Sequence, residues 1–339
     1  MAVGVYKGSM CIGPASTLQC GGDNPPMPTA SAPVTRTRLL PALALSFNAL
    51  VWGTAWWPLR RFELQGLHPL WTTLFVYLLA VAVIVAARPH ALAQVLRTPA
   101  LWVLVLAAGA TNAAFNWGVV IGDVVRVVLL FYLMPLWAVL LARSLLHEPL
   151  TRTAGARVVL ALAGAAIVLW PQGAAGWEGG RETGWEQWPV PRSLPDWLGV
   201  IGGFSFALNN VMLRREAHRP EEGRALAMFL GGGLVAGALA ALLALNGQVP
   251  WPPAPAWGWG VGAVLLAAVY LCGNLALQYG ASRLPANVTA VVMLTEVLFA
   301  SVSAILLGGG TLSAPLLLGG GLILAAALLA AFEPGPPAH

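Results

Sequence analysis

The places where this sequence can do chemistry are the few ionisable and amide side chains set inside long apolar runs. Glu296 stands near the middle of PANVTAVVMLTEVLFASVSAILL, where a carboxylate in hydrocarbon costs at least about 2.5 kcal/mol. Such a residue must face a cavity or a partner. At helical spacing it shares a stripe with Thr289, Met293, Ala300 and Ser303, a small and polar face opposite the Leu and Val side. Two readings follow: a carboxyl that couples proton movement or binds a substrate amine, or a hydrogen-bonded Glu that holds helices together. Amides are the second class. Asn112 and Asn116 lie four apart in one run, and Asn274 and Gln278 lie four apart in another, with Tyr270 one turn earlier. Each pair shares a helix face. In the first run Asn48, Trp52 and Trp56 recur every four residues, and another run carries Ser205, Phe206, Asn209 and Asn210.

An aromatic wall with amides suits a small organic solute. Asn112, Asn274, Trp52, Tyr270, Asn209 and Gln278 are therefore the candidate substrate-binding residues, with Glu296 the candidate for coupling. The structural alternative for the amides is interhelical hydrogen bonding, and it is the stronger one for Asn116 and Gln278. For Trp57 it is anchoring at the membrane interface. Arg126, just after Asp123, can attract an anion at a mouth, snorkel, or pair with Asp123.

Composition sets the class. Hydrophobic residues make up 58% and charged residues 9%, with a mean hydropathy of +0.75, more apolar surface than one soluble core of this length can hide. The pI is about 9.6, but the 18 basic residues sit mostly at the ends of apolar runs. They serve membrane topology, and no nucleic acid is expected as a partner. Cys11, Cys20 and Cys272 form neither a disulfide framework nor a metal site. Neither His-Glu-x-x-His nor Gly-x-Ser-x-Gly occurs, and the glycine clusters at 231–233, 308–310 and 319–321 are not completed as phosphate loops. Close helix packing explains them better, with Ala161, Ala165, Gly321 and Ala325 as examples. No cofactor is expected.

The elements that must position these residues are apolar runs. A bilayer core takes about 20 residues per helix, and by that measure ten runs occur, at about 38–58, 69–87, 99–120, 124–143, 154–171, 197–214, 225–246, 257–280, 286–307 and 313–332. Residues 112–151 lie without a gap on residues 274–313 when shifted by 162 positions, so that Asn112 meets Asn274 and Gly118 meets Gly280. The expected fold is an all-α integral membrane protein of ten transmembrane helices, two five-helix repeats at 38–171 and 197–332 joined by a periplasmic loop at 172–196. An odd helix number per repeat makes the repeats inverted. Residues 1–37 are expected to be a disordered extension, with no signal peptide, and 333–339 a cytoplasmic tail. With both termini in the cytoplasm, thirteen basic residues fall inside and five outside, as the positive-inside rule requires. The inner membrane is the expected location.

Over residues 38–332 the chain resembles the drug/metabolite transporter superfamily, specifically its ten-helix EamA type. The likeness is carried by Trp52-Gly53, Pro135 within LMPLWAVLLA, the turn His147-Glu148-Pro149-Leu150-Thr151, and the duplication. The family places a Gly-Glu pair before the Leu-Thr turn in both halves, whereas here the second half has Gly309-Gly310, so no role for that Glu carries over. The resemblance implies a transporter of small organic metabolites such as amino acids, often outward. With no nucleotide-binding loop, such a protein works as a secondary transporter, with a proton as candidate second partner, lipid around it and a homodimer left open. Other classes are a membrane enzyme or a membrane scaffold or sensor, and neither has a supporting motif or soluble domain.

Overall fold

The fold is that of a computed structural model, which describes residues 5–6, 9–10, 34–145, 147, 152–170, 189–254, 257–281, 283–284, 289 and 292–331. The N-terminal unit, Met1–Thr37, contains two two-residue antiparallel strands, Val5–Tyr6 and Ser9–Met10. Val5 and Tyr6 are residue types that favour strands. The second unit, Arg38–His339, is helical, and its first helix begins four residues earlier, at Val34. Its elements are α1 (Val34–Thr54), α2 (Trp56–Glu63), α3 (Pro69–Ala87), α4 (His90–Arg97), α5 (Pro99–Ile121), α6 (Val124–Phe131) and α7 (Met134–Leu145). There follow α8 (Arg152–Leu169), α9 (Leu194–Arg215), α10 (Glu221–Leu245), α11 (Trp257–Ala281), α12 (Thr295–Leu307) and α13 (Ala314–Ala331). The turn at 148–151, most of the 172–196 loop and the 333–339 tail lie outside the described residues.

Among the described residues, seven helical stretches are long and apolar enough to cross a membrane: 39–63, 69–87, 99–121, 124–145, 152–169, 221–245 and 257–277. Thr295–Leu307 and Ala314–Leu329 are shorter apolar helices. Large apolar side chains cover the outside, with Leu265, Leu275, Leu298, Leu306 and Leu318 all more than 60% exposed. Water would penalise that surface, and lipid does not. The short α4 was not among the expected runs. It is amphipathic, burying Ala91 and Val95. At the start of α3, burial pushes the His68 imidazole down to about 4. At neutral pH its Nδ1 is then an acceptor, and it caps the helix by receiving the Leu70 N–H at 3.3 Å.

Three expected helices are broken. The first run bends between α1 and α2, where Pro58 has no N–H for the Thr54 carbonyl and the Leu59 N–H reaches Ala55 O only at 3.4 Å. The fourth run breaks at Tyr132–Leu133 between α6 and α7 because Pro135 cannot bond the Phe131 carbonyl. In the second half, a turn at Leu294 precedes α12. Leu294 is the counterpart of Tyr132 at the 162-residue shift, yet Val297 stands where Pro135 would fall. Here a hydroxyl competes with the helical ladder: Thr295 Oγ1 donates to Val292 O at 2.6 Å.

Glycines set the closest crossings. Gly118 of α5 abuts Pro195 and Leu198 of α9, and its counterpart Gly280 of α11 abuts Pro41 and Leu45 of α1. Gly203 of α9 lies on Phe131, while Gly53 of α1 lies on the backbone of Glu296 and Ala300. The first helix of each half thus packs on the third and fourth helices of the other. α8 meets α13 at Gly164 and Gly319, whereas Gly321, singled out from the sequence for close packing, has nothing within 4 Å. A Cβ on Gly164 would sit 2.5 Å from Gly319 O, and one on Gly155 in the same helix would meet nothing within 4 Å. Gly164→Leu should therefore cost about 1–3 kcal/mol by overpacking and Gly155→Leu almost nothing. Thermal unfolding in detergent checks this, and equal midpoints for the two variants would contradict the crossing.

Candidate functional site

A cavity of about 450 Å³ lies among α1, α3, α5, α6, α7, α9, α10, α11 and α12. Its wall repeats itself. Asn48 and Asn210, Ala108 and Tyr270, Asn112 and Asn274, Phe115 and Leu277, Phe131 and Met293, and Met134 and Glu296 all line it, and each pair is 162 positions apart. The duplication seen along the chain is thus also a pairing around one space. A smaller groove of about 320 Å³, between α1–α2 and α11, has no charged residue in its lining.

The breaks at Tyr132 and Leu294 both reach this cavity. Tyr132 caps the end of α6, Glu296 occupies the first turn of α12, and the Tyr132 hydroxyl donates to Glu296 Oε2 at 3.3 Å. A carboxylate in the first helical turn is favoured by the helix dipole. The amides divide into engaged and open atoms. Asn112 accepts from the Tyr77 hydroxyl and donates to Ala108 O at 2.8 Å. Asn48 donates to Gly273 O at 2.8 Å, tying α1 to α11, but its Oδ1 has no partner among the described residues. Asn209 Oδ1, the Tyr270 hydroxyl and the Thr289 hydroxyl are likewise buried without partners among the described residues. Unpaired buried acceptors beside a cavity are the groups a ligand would satisfy. Aromatic rings supply the remaining wall. Trp52 stacks on Tyr270 at 4.9 Å, Tyr77 meets Tyr270 edge-on at 6.1 Å, and Phe131 lies between Phe115 and Phe206.

At one end the helices are stitched together. One turn beyond Trp52, Trp56 Nε1 donates to Ser303 Oγ at 2.9 Å, and Ser303 reaches Gly53 O at 3.3 Å. The Arg60 guanidinium covers the Trp56 ring and donates to the carbonyls of Val119, Val120 and Gly122 at the end of α5, a cation on a helix C-terminus. Asp123 caps α6 through Arg126 N–H and receives the Thr311 N–H at 2.8 Å. The Arg126 side chain pairs with Asp196, not with Asp123: Nε and Nη2 reach the two carboxylate oxygens at 2.6 and 3.1 Å, and Nη1 reaches Val168 O at 2.6 Å. A partner seventy residues away in sequence cannot be read from local spacing.

The structure brings Glu296, Asn112, Asn274, Trp52, Tyr270 and Asn209 to one cavity. Of the candidates, only the Gln278 side chain lies outside the described residues. Asn116 is buried away from the cavity, donating to Thr73 Oγ1 at 3.0 Å. Ala300 and Ser303 continue the Glu296 stripe as packing against α1. Trp57 is 40% exposed beside Arg61. Tyr77 and Tyr132 were not anticipated; hydroxyls within runs of aliphatic residues were the available signal. No three His, Cys, Asp or Glu side chains converge to hold a metal among the described residues.

The profile of the EamA-like transporter family matches residues 39–170 and 193–332. The chain belongs to that family. It is therefore a multi-pass membrane transporter of the drug/metabolite type, and each match covers one half of the duplication. No curated protein matches it. A solved structure described only as "Crystal structure of protein" is 21% identical, over 86% of this chain and 96% of that one, with a TM-score of 0.49.

In this EamA transporter the Asp196 side chain is 5% exposed, so removing its partner would strand a buried carboxylate. Arg126→Met should cost about 3–5 kcal/mol, and Arg126→Met with Asp196→Leu should recover much of that. Unfolding midpoints of the two variants decide the point, and a double variant no better than the single would show that packing, not charge, is lost.

Proposed function

We propose that this protein is a secondary transporter that carries small organic metabolites, amino acids among the classes the family suggests, by alternating access around the 450 Å³ cavity. The observation that carries this reading is the pairing of cavity-lining residues across the two halves, because a site on a pseudo-symmetry axis is reachable from either side when one half rocks against the other. In this reading the fold is ten transmembrane helices in two inverted repeats, with the stretch around 286–307 broken at Leu294. The protein sits in the inner membrane with both termini in the cytoplasm, and outward transport follows the family tendency. The stitched end at Arg60 and Trp56 then faces the periplasm. Glu296 is the coupling residue: one carboxyl can hold a proton or meet the solute, but not both at once, which links the two movements.

Two measurements test this. In proteoliposomes, Glu296→Gln should insert normally while gradient-driven transport falls at least about tenfold, the effect of losing a charge-assisted contact. Wild-type rates in the inserted variant would remove Glu296 from the mechanism. For topology, His218→Cys in a chain whose own cysteines are replaced by Ser should react with impermeant maleimide only from the cytoplasmic face, and reaction from the periplasm in intact cells would invert the orientation.

A further inference from the structure

We infer that, on the transporter reading above, whose small organic solutes it narrows away from amino acids, the cavity is built for organic monocations, a protonated amine on an aromatic or apolar body, and disfavours zwitterions. Among the described residues lining the cavity, Glu296 is the one carboxylate, and there is no Lys, Arg or His. The two arginines at the stitched end are engaged elsewhere, Arg60 on three carbonyls and Arg126 on Asp196 and Val168. A substrate carboxylate would enter with no cation to meet it and with Glu296 to repel it, and an unpaired buried charge is costly.

The hydrogen-bond inventory has the same sign. Asn48 Oδ1 and Asn209 Oδ1 are buried acceptors with no donor among the described residues, 0% and 2% exposed as residues. An ammonium group brings three N–H donors and no acceptor, so it can serve Glu296 and open amide oxygens together. Of the amide donors, Asn48 Nδ2 is held by Gly273 O and Asn112 Nδ2 by Ala108 O; the Tyr270 and Thr289 hydroxyls are neutral donors, which can meet a carboxylate without cancelling its charge. The stacked Trp52 and Tyr270 rings add negative ring faces, which attract cations and cover an aromatic body. The volume falls within the range of small-molecule pockets.

The test compares ligands that share a ring system and differ in charge. Full-length protein in nanodiscs is titrated calorimetrically with tryptamine, tryptophan and tryptophan methyl ester, and with phenethylamine and phenylalanine. Each amine should bind at least about tenfold more tightly than its amino acid, as expected when one buried charge is left unpaired, and the methyl ester should follow tryptamine because its carboxylate is masked. Glu296→Gln should erase the preference, while Trp52→Ala should weaken tryptamine and keep the order. The wild-type comparison decides even if a variant fails to fold. Tryptophan binding as tightly as tryptamine overturns the proposal, as does an absence of binding by every amine. Loss of the transporter reading has a separate sign: cysteines placed at Thr111 and Phe206 would then never be labelled from both sides of the membrane.

Discussion

Hydrocarbon offers no hydrogen bonds, so every polar atom at membrane depth must find a partner within the chain or line a wet space. In this protein that constraint separates the polar residues cleanly. Asn116 is spent on Thr73, and Arg126 on Asp196 and Val168. Glu296, Asn209 and Tyr270 line the cavity, and Asn209 Oδ1 and the Tyr270 hydroxyl have no partner among the described residues. The same rule governs the backbone. Helix breaks leave carbonyl and amide groups without ladder partners, and they are tolerated where they border a cavity or packed protein. The breaks after α6 and before α12 both do so, and they present Tyr132 and Glu296 to each other.

The two breaks reach one geometry by different chemistry. In the first half a proline removes the N–H, and in the second a threonine hydroxyl takes a carbonyl. Equivalent positions in a duplicated chain can thus keep a shape after the residue that imposed it has changed. The breaks fall at Tyr132 and Leu294, and each half contributes one broken helix to the same wall.

Much of this was legible from residue spacing, because hydrophobic period and a fixed shift report helices and duplication directly. Glu296, Asn112 and Asn274 announced themselves as polar groups in apolar runs, and all three line the cavity. Tyr132 and Tyr77 did not, since a tyrosine body is apolar enough to pass as core. The partner of Arg126 was illegible because Asp196 comes from another helix and only folding brings them together. Glycine identity marked close packing, but the choice between Gly319 and Gly321 depends on which face of α13 meets α8. The helix breaks needed knowledge of where a proline or hydroxyl sits relative to neighbouring helices. The short α4 fell below the length that a membrane span demands.

The crossing at Gly53 has a mechanical meaning. A Cβ there would lie 2.7 Å from both Glu296 O and Phe299 Cβ and 3.0 Å from Ala300 N, so α1 and α12 approach at this point more closely than any side chain on residue 53 would allow. The contact stands between Trp52 and Glu296 on the cavity side and Trp56 and Ser303 at the stitched end. Any side chain at Gly53 would therefore wedge α1 from α12, parting Trp52 from the Glu296 wall and straining the Trp56–Ser303 hydrogen bond at the same time.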